Sequence, residues 1–138
     1  MIHIQGIDHV VLRCARIDTT LAFYRDTLGA TVERTLEELG LYQLRVGTAL
    51  IDLVPVDSPL GQEGGAAPGL EGHNMDHLCL RLEPFDGAAI LKYLDQQQIP
   101  HGGLERRYGA SGFGPSIYLT DPEGNRIELK GPADSLQK

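Results

Sequence analysis

The apolar run Val10-Val11-Leu12, inside the stretch from Ile7 to Ala15, reads as a strand, and because side chains alternate faces on a strand it puts His9, Val11 and Arg13 on one face and Val10, Leu12 and Cys14 on the other. The period then changes. Leu21, Tyr24 and Leu28 form one helical stripe, behind Asp18 as the expected N-cap and ahead of Gly29 as the left-handed stop. Three more strands are predicted at 31–36, 41–46 and 49–54, with Gly47-Thr48 as a tight turn between the last two. The first half therefore runs strand, helix, strand, strand, strand.

The same order returns after a Gly- and Pro-rich stretch, 55–74, which is long enough to be a linker or a lid. A strand at 75–82 places His77, Cys79 and Arg81 on one face. Asp86 caps a helix that runs to about Gln98 and ends before Pro100. Strands follow at 103–108, 115–120 and 125–130, the last two joined by the turn residues Asp121-Pro122-Glu123-Gly124, and 131–138 reads as a frayed tail. The repeat is visible in residue types as well: Asp8-His9-Val10-Val11-Leu12-Arg13 returns as Asp76-His77-Leu78-Cys79-Leu80-Arg81. A period of half the chain marks a duplicated module and not a solenoid. The expected organisation is one domain over 1–138, with module one at 4–55, a connecting loop at 55–74 and module two at 75–131.

Composition narrows the partners. The 138 residues suffice for one cored domain. A net charge of −7 argues against nucleic acid or an anionic membrane, since both ask for a basic face. No apolar run approaches the ~20 residues of a membrane span, and residues 1–5 lack the pattern of a secretion signal. Cys14 and Cys79 lie in predicted strands without CxxC spacing, which makes a reducing cytoplasm the default location.

Each module also ends alike. Ile51-Asp52-Leu53 closes the first and Ile127-Glu128-Leu129 the second, an acid between two branched apolar residues. A carboxylate so placed is costly unless paired or bound to a cation. If the modules pack about a pseudo-twofold axis, His9, Asp52, His77 and Glu128 converge, and two imidazoles with two carboxylates suit one divalent ion such as Zn, Ni, Fe, Mn or Co. The blander reading makes each histidine structural, Asp8 and Asp76 turn caps, and Asp52 the partner of Arg45.

The segments Ile7-Asp8-His9-Val10-Val11-Leu12, Phe23-Tyr24-Arg25-Asp26-Thr27-Leu28-Gly29 and 118–128 (YLTDPEGNRIE) resemble the vicinal oxygen chelate superfamily, which includes glyoxalase I, the bleomycin and fosfomycin resistance proteins and the extradiol dioxygenases. The resemblance covers about residues 4–131. It implies an α+β fold of paired βαβββ modules, a cupped eight-stranded mixed sheet with helices outside, and a metal inside. It implies His9, His77 and Glu128 as ligands, with Asp52 where glyoxalase I carries a fourth, longer acid. It further implies a small-molecule substrate and a homodimer.

Within the superfamily the expected chemistry is glyoxalase-like lyase or isomerase chemistry on an oxygen-chelating substrate, with the metal as Lewis acid and Glu128 moving the proton. Arg13 and Arg81, on the histidine faces, are candidates for holding anionic substrate groups, as are Arg106 and Arg107; the alternative for each is an internal salt bridge. Tyr118 and the DPxGN segment resemble the extradiol dioxygenases, but the histidine those enzymes carry before the tyrosine is absent from 109–116, leaving only His73 or His101 as replacements. Thiol transfer, non-catalytic drug binding and a metal-binding virulence or stress protein are the other readings. Binding-only members tend to lose the histidines that are present here.

Overall fold

The computed structural model describes residues 1–134. Among these residues eight strands fall into two compact units, divided between Asn74 and Met75. In the first, β1 (His9–Cys14), β2 (Thr31–Leu36), β3 (Leu41–Val46) and β4 (Ala49–Pro55) form a sheet in the order β1-β4-β3-β2. In the second, β5 (Leu78–Arg81), β6 (Glu105–Gly109), β7 (Gly112–Thr120) and β8 (Arg126–Lys130) form a sheet in the order β5-β8-β7-β6. Each is the expected βαβββ module: the first strand runs parallel to the last, and the other pairings are antiparallel. The hydrogen bonds close as two four-stranded sheets.

Alternation sorts the faces as the sequence pattern requires. On one face of the first sheet Leu12, Cys14, Leu44, Ile51 and Leu53 are buried. The helix α1 (Ile17–Ala22) packs on β4, and the following Phe23 and Tyr24 are buried and meet edge to face at 5.1 Å. In the second unit Ile117, Leu119, Ile127 and Leu129 are buried, and α3 (Gly87–Gln96), with Leu94 buried, packs on β7. Each such side chain contributes roughly 1.5–3 kcal/mol. The apolar faces therefore hold the fold, and the opposite faces, with His9, Gln43 and Asp52 or Cys79, Tyr118 and Glu128, are left for chemistry.

Several local expectations change. The N-cap of α1 is Arg16 and not Asp18, which sits in the first turn where its charge meets the positive helix end. The helix then widens into a π-helical segment, Phe23–Thr27, in which Leu28 N–H donates to Phe23 O at 3.0 Å. That extra residue turns Phe23 inward beside Tyr24, a shift that the Leu21–Tyr24–Leu28 stripe does not foresee. Gly29 does take the left-handed conformation, with φ of 83°. Asp86 caps α3 by accepting from Ala89 N–H at 3.1 Å. The 121–124 turn is closed by Asp121, whose Oδ1 accepts from Glu123 and Asn125 N–H at 2.9 and 2.8 Å. Residues 131–134 are not frayed: Gly131 and Asp134 N–H donate to Pro115 and Phe113 carbonyls, and Arg106 pairs with Asp134. Residues 135–138 lie outside the described part.

The 55–74 stretch is also more ordered than its composition suggests. It holds a short helix, α2 (Pro59–Gln62), which Ser58 caps by accepting from Gly61 N–H at 3.0 Å. The Arg13 guanidinium donates to Gly61, Gly65 and Ala66 carbonyls at 3.3, 3.0 and 2.8 Å. Asn74 returns to β1 and bonds both Arg13 N–H and Arg13 C=O. A side chain thus supplies the donors that a neighbouring strand would otherwise supply.

Candidate functional site

In the second unit three polar groups meet on the face opposite α3. Glu128 stands between Cys79 and Tyr118 in the ladder of β5, β8 and β7. It is only 5% exposed. Its Oε2 accepts from the buried Ser116 hydroxyl at 2.6 Å, and its Oε1 lies 3.2 Å from His77 Nε2. The other ring nitrogen, His77 Nδ1, sits 2.5 Å from Asp76. A carboxylate only accepts, so Nδ1 carries the proton in that contact and Nε2 is turned toward Glu128. Two lone pairs facing each other at 3.2 Å repel unless a proton or a cation lies between them.

Burial alone would raise the Glu128 pKa. Hydrogen bonds from Ser116 and Tyr118 and the charges of His77 and Lys130 outweigh it, and the carboxyl is held below the usual range. Burial pushes the Cys79 thiol up to about 11, helped by the Glu128 charge, so the thiol stays protonated at neutral pH. Burial and Glu128 likewise raise Tyr118, keeping its hydroxyl a donor. The Tyr118 ring meets His77 edge to face at 5.3 Å, with the Arg126 and Arg107 guanidinium carbons 5.0 and 5.9 Å from its centroid. Lys130, nearly buried, donates to Arg107 and Gly114 carbonyls. Beside this group opens a cavity of about 430 Å³ lined by His77, Arg81, Glu83, Tyr108, Glu128 and Lys130 among others.

The first unit repeats the frame with other parts. His9 Nδ1 lies 2.7 Å from Asp8. The His9 pKa is raised, first by that hydrogen bond and then by the charge of Asp52. Asp52 is 3% exposed and takes both its bonds from one amide, Gln43 Nε2, at 3.2 Å to each oxygen. Arg34 in turn donates to Gln43. The expected alternative for Asp52 is overturned: Arg45 pairs with Glu33 across β2–β3 and leaves Asp52 to Gln43.

The structure thus brings the four expected ligands together as two pairs, one in each unit. Among the described residues no group of three or more His, Cys, Asp or Glu donors forms a metal cluster. The donor chemistry of each pair nonetheless fits a divalent ion: a histidine whose far nitrogen is fixed by a carboxylate is the arrangement that orients imidazole ligands. Asp8, Asp76 and Ser116 escape sequence reasoning as site residues. The first two were legible as Asp-His dipeptides, whereas Ser116 gives no signal. Of the arginines, Arg13 is spent on loop carbonyls, Arg106 on Asp134 and Arg107 on Glu105. Arg81 lines the cavity. His101 is held by Asp95 and the Gly102 carbonyl at 2.6 Å each, and His73 belongs to a separate cavity beside Arg13.

With that geometry in place, comparison with known proteins defines the class. Residues 6–129 match the model of the Glyoxalase/Bleomycin resistance protein/Dioxygenase superfamily, and the chain belongs to that superfamily. Among its relatives is a virulence protein of Salmonella typhimurium, 29% identical over 131 residues that cover 91% of this chain and 83% of that protein. A structure from the mobile metagenome of V. Pseudocholerae superposes with a TM-score of 0.76 at 26% identity, covering 97% of this chain and 99% of that one. A lactoylglutathione lyase from Agrobacterium tumefaciens shares the fold, with a TM-score of 0.65 at 20% identity over 92% of this chain and 93% of that one. No helix among the described residues is long and apolar enough to cross a membrane.

Proposed function

We propose that this protein is a divalent-metal enzyme of glyoxalase-like lyase or isomerase type, acting on a small oxygen-chelating molecule. The observation that carries the reading is the Asp76–His77–Glu128 alignment, with an oriented imidazole nitrogen facing a buried, ionised carboxylate beside a cavity. His77 and Glu128 are the ligands from the second module; His9 and Asp52 are their counterparts from the first, with Asp52 the weakest because its oxygens are already bonded to Gln43. When bound, a Zn, Ni, Fe, Mn or Co ion would supply Lewis-acid polarisation of two adjacent substrate oxygens. Glu128, kept ionised by its neighbours, takes the proton from a carbon beside a carbonyl and returns it next door. The Tyr118 hydroxyl stays protonated beside Glu128, and Arg107, stacked over the Tyr118 ring while paired with Glu105, and Tyr118 are proposed as the less direct substrate contacts. The free state of Cys14 and Cys79 supports a cytoplasmic location, and a homodimer as the working form is carried over from the superfamily alone.

Metal analysis of protein purified without chelator tests the first step. About one equivalent of a transition metal is expected for each assembled site; less than about a tenth, with no uptake on titration, would overturn the reading. Turnover of the hemithioacetal of methylglyoxal and glutathione tests the second. Metal uptake without turnover of that substrate would replace the isomerase assignment by dioxygenase or binding-protein readings.

A further inference from the structure

The cavity of the second unit extends past His77 and Glu128 toward the far end of β5, where its charge is unevenly used. His77 is committed to Asp76 and Glu128, and the Lys130 ammonium donates to two carbonyls. Arg25, Arg45, Arg106 and Arg107 each hold a carboxylate, and Arg13 and Arg34 donate to carbonyl or amide oxygens. Arg81 is the exception: among the described residues its guanidinium makes no hydrogen bond and no ion pair, and it lines the cavity.

We infer that Arg81 is the anchor for the carboxylate of a small bifunctional ligand. A guanidinium presents a planar fork of donors that a carboxylate fills with two parallel bonds. Glu83 and Glu128 line the same cavity, so a monoanion meets less repulsion there than a doubly charged phosphate. The register sets the reach. Arg81 pairs with Lys130 and Cys79 with Glu128, so the anchor stands two strand residues, about 7 Å, beyond the Glu128 level. The ligand class is then a short molecule with a carboxylate at one end and adjacent oxygens at the other. The carboxylate site stands on the cavity alone; its role as a substrate handle rests on the metal reading of His77 and Glu128.

Lactate, a monoanion, and inorganic phosphate are the probes, titrated separately into metal-free protein while the Arg81 Nε–H resonance is followed by NMR, with transition-metal uptake measured in parallel. Saturable lactate shifts at Arg81 are expected, with phosphate weaker. Arg81→Gln should weaken lactate binding about tenfold or more, and Arg81→Lys by less, with both variants keeping wild-type amide dispersion and metal uptake. Equal lactate binding by Arg81→Gln, no saturable shift at Arg81, or a preference for phosphate would each overturn the assignment. Loss of metal uptake with lactate binding intact would instead count against the metal reading and leave the anchor standing.

Discussion

In the first module Asp52 takes two hydrogen bonds from one neutral amide, Gln43; in the second Glu128 takes one from the Ser116 hydroxyl and turns its other oxygen to His77. Other register equivalents diverge in the same direction. Beside the acids stand Val11 in one module and Cys79 in the other. Two pairings further along, buried Val54 corresponds to buried Lys130, and Arg13, tied to the loop, corresponds to Arg81, open to the cavity. Duplication has kept the His–acid frame and redistributed the charge: the first module spends its cation on holding chain, and the second leaves its own facing the cavity.

The largest test of that division is metal affinity across the four acids and imidazoles. His77→Ala and Glu128→Gln should each cost more than about a hundredfold, above the range for outer-shell changes, and Asp52→Ala the least of the four. Equal losses on titration would remove the asymmetry. Next come the groups behind the acids: Ser116→Ala should weaken metal binding about 10–100-fold, and Gln43→Ala by less than about tenfold, both read by chelator competition. A stability comparison follows. Lys130→Met leaves two carbonyls without their donor and should cost about 2 kcal/mol in urea unfolding. Arg13→Ala should chiefly speed amide exchange at 61–66 and leave metal affinity unchanged.

The smallest effect concerns pH. The Gly102 carbonyl, then Asp95, raises the pKa of His101. A raised folded pKa means that the contribution is fully present below the unfolded value of about 6.5 and is lost as pH rises through the folded value. Melting temperature should therefore fall over that window in the wild type and stay flatter in His101→Gln. Protection against amide exchange, corrected for the intrinsic pH dependence of the rate, should fall in α3 but not in α1, because residues 17–30 contain no histidine.

Much of the fold was legible because alternation is a local property. The side chains of His9, Arg13, His77 and Arg81 fall on the expected faces, and Asp86 and the Asp121 turn need only their neighbours in sequence. The site was legible only as far as the repeat reached. Asp52 and Glu128 stand out because each interrupts an apolar run, but their partners Gln43 and Ser116 are set by strand register, which a single sequence does not print. Arg13 was legible as a cation and not as a tie, because its acceptors are carbonyls that any loop sequence carries. Phe23 was missed because one extra residue in a helical turn leaves no trace in composition.

That tie has an implication for how the protein can change. Residues 55–66 are fixed by α2 with its Ser58 cap and by three carbonyls on one guanidinium, so side-chain identity there matters chiefly at Ser58 and through smallness at Gly61 and Gly64, where an added Cβ would meet the Pro55 carbonyl and the Arg13 guanidinium. Between Ala67 and Gly72 the only backbone bond among the described residues is Gly69 N–H to Gly72 C=O. The segment is thus divided into a clamped half and an editable half, and insertions or grafted peptides at 67–72 should be accepted without unseating β1.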